Sequence, residues 1–232
     1  MMNCSTRRIE PESSLVGNKR KFDEPEGGSL KQVPKINEKP NDSALIAIEC
    51  ECKPSLCVDC IARKDLWSPH RDIAREATRK LIILTIKSHA NAAANRETIF
   101  RAGGHAVVFS NMKKYCDHKD MVADGLALLI NLCGNEVCRG YIAKLPFIVP
   151  FIVQRIDAFP DCQIIYRFGL ILLINLCQNE CDNQIKVQAL KAGVVTSIGR
   201  AMIKWPEDLV IKHTGGLILR NLAHSMRPSY HV

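Results

Sequence analysis

The chain has 232 residues, with 32 Lys or Arg against 24 Asp or Glu, a formal charge of +8, 47% apolar side chains and only 6% aromatic ones. This is the composition of a basic globular protein with length enough for one or two domains and a sizeable core. No stretch approaches the roughly 18 apolar residues of a membrane-spanning helix, because the longest run, Gly169 to Cys177, gives way to Gln178, Asn179 and Glu180.

Residues 1–43 are rich in Pro, Glu, Lys, Ser and Gly, and their isolated Leu15, Val16, Phe22 and Val33 form no periodic face. Such a segment buries too little to offset its ordering entropy, which predicts a disordered N-terminal tail. The first ten residues carry Arg7, Arg8 and Glu10 and lead into no apolar region, so no signal peptide is expected. The expected compartment is the nucleus or cytoplasm. Arg7 and Arg8 are followed, after ten intervening residues, by Lys19, Arg20 and Lys21. Two short cationic clusters at that spacing suit two acidic pockets on a nuclear-import carrier; the other reading is a solvated tail with chance basic pairs.

Residues 44–65 form a Cys-rich segment. Cys50, Cys52, Cys57 and Cys60 place four thiols within eleven residues, enough to close one tetrahedral Zn2+ site. Two ligand pairs only four residues apart would make a cramped loop, and the alternative is a set of capping thiols without metal. The eleven cysteines overall are expected to be reduced. Residues 1–60 hold nine basic and ten acidic side chains, leaving 23 basic and 14 acidic ones, a charge of +9, on residues 61–232. A basic folded part favours acidic partners.

From residue 66 onward an internal repeat dominates. Gly125-Leu126-Ala127-Leu128-Leu129-Ile130-Asn131-Leu132-Cys133 recurs 44 residues later from Gly169 to Cys177, and 46 residues after that from Gly215 to Ala223. A weaker copy, Leu81 to Ile86, places Thr85 at the Asn position. Ahead of each long apolar helix stands a turn with an aromatic and an acid: Tyr115-Cys116-Asp117, Phe159-Pro160-Asp161 and Trp205-Pro206-Glu207. Before those turns, apolar helices are predicted over 106–112, 147–156 and 194–203, preceded by shorter ones over 96–101, 137–144 and 184–191. Gly or Pro corners separate the two: Ala102-Gly103-Gly104, Leu145-Pro146 and Ala192-Gly193. Gly125, Gly169 and Gly215 recur at one position inside the long helix. A helical Gly costs about 1 kcal/mol against Ala, so its recurrence implies that another helix approaches closely there.

Three helices per unit, a period near 44, the Ala-Gly-Gly corner and the closing Asn-Leu-Cys/Ala resemble the armadillo repeat over residues 66–226, as one partial and three full repeats; residues 227–232 form a short C-terminal tail. The resemblance implies an all-α right-handed solenoid whose third helices line a concave groove, in which a ladder of Asn side chains holds the main chain of an extended peptide. By motif match Asn131, Asn175 and Asn221 inherit that role, the competing role being to tie adjacent helices together. A side-chain amide suits the task because it offers donor and acceptor to one peptide unit whatever the sequence. Trp, which in importin-type grooves stands four residues before the Asn, is replaced by Ala127, Ile171 and Leu217. Recognition of basic import signals by this groove is therefore not expected, and an acidic or neutral peptide is the expected ligand. Arg220, beside Asn221, is the candidate contact for an acidic ligand; Arg167 and Lys212 are expected to be solvated charges.

His70, His89, His105, His118, His213, His224 and His231 are scattered, and no phosphate-binding or metalloprotease motif occurs. The expected function is that of a non-catalytic, cofactor-free adaptor or scaffold, with a nucleic-acid-associated basic scaffold as the alternative. Few aromatic platforms for unstacked bases make nucleic acid the weaker of the two. At the C-terminal repeat, Gly216-Leu217-Ile218-Leu219 cannot all face the preceding unit, so Leu217 and Ile218 are expected at an exposed edge where the chain self-associates or docks.

Overall fold

The computed structural model describes residues 57–177 and 183–225, and among these the chain is all helical. The tail with Arg7, Arg8, Lys19, Arg20 and Lys21, and also Cys50 and Cys52, lie outside the described residues. A short helix α1 (Val58–Cys60) runs directly into a π-helical turn over Ile61–Asp65, and α2 (Arg71–Thr85) follows. Three units of three helices come next. The first is α3 (Ala92–Arg101), α4 (Gly104–Lys114) and α5 (Lys119–Leu132); the second is α6 (Glu136–Ala143), α7 (Ile148–Ala158) and α8 (Gln163–Leu176). The third is α9 (Asn183–Lys191), α10 (Val194–Lys204) and α11 (Leu209–Ser225). The expected boundaries hold within a residue or two, except that α3 begins at Ala92 and not at residue 96. Ala92, Ala93 and Ala94 lack a periodic apolar face but are the best helix formers, and they extend the helix by a turn.

The long helices pack side by side in chain order, α2 on α5, α5 on α8 and α8 on α11, while α4, α7 and α10 each back the long helix of their own unit. Leu128, Leu129, Leu172 and Leu173 are fully buried in this arrangement, each contributing about 1.5–3 kcal/mol. The repeated glycine marks the crossing of second and third helices. A Cβ on Gly125 would stand 2.4 Å from Met112 Cγ, one on Gly169 2.7 Å from Ile156 Cδ1 and one on Gly215 2.7 Å from Met202 Cε. Met112, Ile156 and Met202 are themselves one equivalent position, so a single close approach is built three times.

Polar side chains of the second helices then tie each unit to the turn before it. Asn111 Nδ2 donates to Leu66 O at 2.9 Å, and its equivalent Arg155 donates through Nη1 to Cys116 O at 3.0 Å. Lys114 Nζ reaches Pro69 O, and the equivalent Lys204 Nζ reaches Pro160 O at 2.7 Å. The turn aromatics cover the same seams: Tyr115 Oη donates to Pro69 O, and the Trp205 ring packs edge-on to Tyr166 with centroids 4.7 Å apart. At the N-terminal side Ile61, Ala62 and Leu66 are fully buried, so the core begins upstream of residue 66. No helix among the described residues is long and apolar enough to cross a membrane.

Candidate functional site

The long helices bury one stripe and leave another open. On α11 the buried stripe runs through Ile211, Thr214, Gly215, Ile218 and Leu222, at helical spacing of three and four. Ile218, expected at an exposed edge, is therefore in the core at 0% exposure, and Leu217, one residue and about 100° away, is half-buried. The apolar run is wider than one face because α11 is covered from two sides, by α8 and by α10.

Asn131, Asn175 and Asn221 occupy the half-exposed margin of α5, α8 and α11, but they are not equivalent. Asn131 Nδ2 donates to Ile82 O at 3.3 Å and to Thr85 Oγ1 at 3.2 Å. It ties α5 to α2, the structural role weighed against peptide binding. Thr85 is itself buried and returns its hydroxyl proton to Leu81 O. Among the described residues no hydrogen-bond partner stands at the side chains of Asn175 or Asn221. Ile171 and Leu217, the positions four residues before these asparagines, are half-buried and give the strip between them an apolar floor.

The charges near this face divide into spent and unspent. Arg167, expected to be solvated, instead donates through Nε to Asp208 Oδ2 at 2.6 Å. Asp208 has a side chain only 1% exposed and also accepts Gln163 Nε2 at 2.7 Å and the backbone N–H groups of Val210 and Ile211. Burial alone would push its carboxyl up, but the hydrogen bonds from Arg167, Ile211 and Gln163 outweigh burial and hold it below the usual carboxylate range. Asp208 thus caps α11 and locks it to α8. Its place directly before the apolar stretch at Leu209 is an N-cap signal, overlooked beside the acid at Glu207. On the other flank Arg75 is held by Asp124 at 2.9 Å and Asp120 at 3.4 Å. The hydrogen bond to Asp124 is the main reason that its guanidinium is pushed further towards the charged form. A polar cleft of about 290 Å3 there includes Arg71, Arg75 and His118, but Asp72, Asp120 and Asp124 already occupy the two arginines. Arg220 and Lys212, by contrast, are exposed with no carboxylate partner among the described residues.

Of the four clustered cysteines, Cys57 and Cys60 fall in the described residues, one turn apart and half-buried. The Cys57 thiol hydrogen-bonds to Cys60 and pushes the latter's pKa up, with burial and the carboxylates of Asp59 and Asp65 acting in the same direction. No group of three metal-ligating side chains is found among the described residues. Cys133 and Cys138, pushed by burial up to about 12 and about 11, are core thiols.

No protein-family model matches the chain, and neither a curated protein nor a solved structure matches it.

Proposed function

We propose that the folded part is an armadillo-type right-handed solenoid and serves as a non-catalytic, cofactor-free protein-interaction scaffold, holding an extended segment of a partner across α8 and α11. The observation that carries this reading is the pair Asn175 and Asn221. They stand at one equivalent position in adjacent long helices, half-exposed, with side-chain amides that have no hydrogen-bond partner among the described residues. An amide donor and acceptor repeated at the unit spacing matches the main chain of an extended peptide. Asn131 is spent on Thr85, so the binding strip covers the last two units. Arg220 and Lys212 favour an acidic or neutral segment over a basic one. The tail, with Arg7, Arg8, Lys19, Arg20 and Lys21, would carry the protein into the nucleus, giving it nuclear as well as cytoplasmic residence.

The test is proximity labelling with the full chain, comparing wild type with Asn175→Ala/Asn221→Ala. We expect selective loss of a subset of partners from the double variant, with Asn131→Ala reducing stability instead. Recovery of the same partners, undiminished, refutes the strip. Binding of a fluorescent single-stranded oligonucleotide at low salt, steeply lost as salt rises, would instead favour the nucleic-acid scaffold.

A further inference from the structure

Position 147 breaks the rule of its own repeat. The corner between first and second helices is left-handed in every unit, and it is Gly103 at φ 73° in the first unit and Gly193 at φ 84° in the third. In the second unit the same position is Phe147, at φ 62°. A side chain there costs on the order of 1–2 kcal/mol that glycine avoids, and little burial offsets it, since Phe147 is 77% exposed and its ring has no aromatic or cationic partner among the described residues. Folding alone would favour glycine. An exposed large apolar residue held in a strained conformation is the signature of a site kept for contact with something else.

The surroundings say what that something is. Beside Phe147 opens a cleft of about 400 Å3, lined also by Pro146, Pro150, Gln188, Lys191 and Ala192, between the start of α7 and the end of α9. Its volume admits one or two side chains. The two prolines that line it with Phe147 leave little rotamer freedom to lose on binding. Lys191 lines the cleft and Lys144, three residues before Phe147, has its ammonium 5.9 Å from the Tyr141 ring; both are exposed and neither is in an ion pair among the described residues. An apolar slot beside two exposed cations without a carboxylate partner among the described residues fits a protein segment with one bulky apolar residue next to acidic ones. A second copy of the chain fits poorly, because facing corners would bring four lysines together.

We propose that the Phe147 corner is a docking site for a partner segment that inserts an aromatic or aliphatic side chain beside Phe147 and sets Asp or Glu against Lys144 and Lys191. It lies apart from the Asn175 and Asn221 strip and does not depend on it.

The test starts from a displayed random-peptide library panned on the full chain, followed by anisotropy with the enriched peptide. We expect an apolar anchor flanked by acids, and at least about tenfold weaker binding to Phe147→Gly. That variant restores the corner's ordinary residue, so it should also melt higher, by about 2 °C, which separates lost binding from lost folding. Lys144→Glu/Lys191→Glu should weaken binding several-fold and flatten its salt dependence. Asn175→Ala/Asn221→Ala should leave it unchanged. The proposal is overturned if no peptide is enriched, or if enriched peptides bind Phe147→Gly as well as wild type. It is equally overturned if the Phe147-dependent ligand is a phosphatidylserine vesicle or an oligonucleotide and no peptide competes, or if Phe147→Gly lowers the sedimentation coefficient of the protein.

Discussion

His105 shows how a single side chain can make this fold sensitive to mild acid. It is 4% exposed, its Nδ1 has no hydrogen-bond partner among the described residues, and the rings of Phe100 and Tyr141 lie 4.9 and 6.4 Å from its own. Burial pushes its pKa from the ordinary 6.5 down to about 4. Between those values the unfolded chain binds a proton that the folded chain refuses, so stability is full above about pH 6.5 and falls as pH drops towards 4. The loss approaches about 3 kcal/mol at the acid limit. Urea midpoints at several pH values should trace this decline in wild type and a flatter profile in His105→Phe; parallel profiles would remove His105 as the cause. Asp208 acts lower on the scale: its folded pKa is depressed, so its contribution is present above the usual carboxylate range and disappears only as pH falls below it. Asp208→Ala removes the cap on α11 and the partner of Arg167 together and should cost about 2 kcal/mol. Asp208→Asn keeps an acceptor for the Val210 and Ile211 N–H groups and should lose about half as much by the same urea measurement.

At the level of the helix, α11 carries two adjacent glycines under opposite constraints. Gly215 faces α10, where a Cβ would meet Met202 Cε at 2.7 Å and Ile198 Cγ2 at 2.9 Å, while Gly216 is exposed with nothing within 4 Å. Gly215→Ala should therefore destabilise by about 1–2 kcal/mol through overpacking, and Gly216→Ala should stabilise by about 0.5–1 kcal/mol through helix propensity. Thermal melts decide it, since each kcal/mol moves the midpoint about 2–4 °C at this size; shifts of the same sign would contradict the close approach. The glycine position was legible in the sequence because the repeat printed it three times, and the helices were legible because their apolar period is local. The phase of Ile218 was not, because how wide an apolar arc is buried depends on how many neighbours cover the helix. Nor was the Arg167 to Asp208 bond, which joins residues 41 apart whose distance is set by how one unit lies on the next. Asn131 was ambiguous for the same reason: its hydrogen bond to Thr85 joins it to the preceding long helix, α2, where Thr breaks the Asn pattern.

Across the whole molecule, the second unit grips the third through two positions at which the third unit itself carries different chemistry. In the second unit Asp157 accepts Ser197 Oγ at 2.8 Å and Arg200 Nη2 at 2.7 Å, and Gln163 donates to Asp208, all in the third unit. The equivalents of Asp157 and Gln163 one unit on are Ile203 and Leu209. No described residue covers them; they are 83% and 76% exposed, with Val210 beside them at 40%. Polar groups that hold a successor have thus been exchanged for apolar ones on an open surface. Isolated exposed side chains need no explanation, but three at one helix junction make a patch that water disfavours. The exposed edge expected at Leu217 and Ile218 lies here instead, and a second copy offering the same patch would bury both. We expect sedimentation at micromolar concentration to show a concentration-dependent average mass. Ile203→Glu/Leu209→Glu should reduce the protein to a monomer without lowering its melting temperature, because neither side chain contributes to the core. Wild type that remains monomeric throughout the concentration series would exclude self-association through this end.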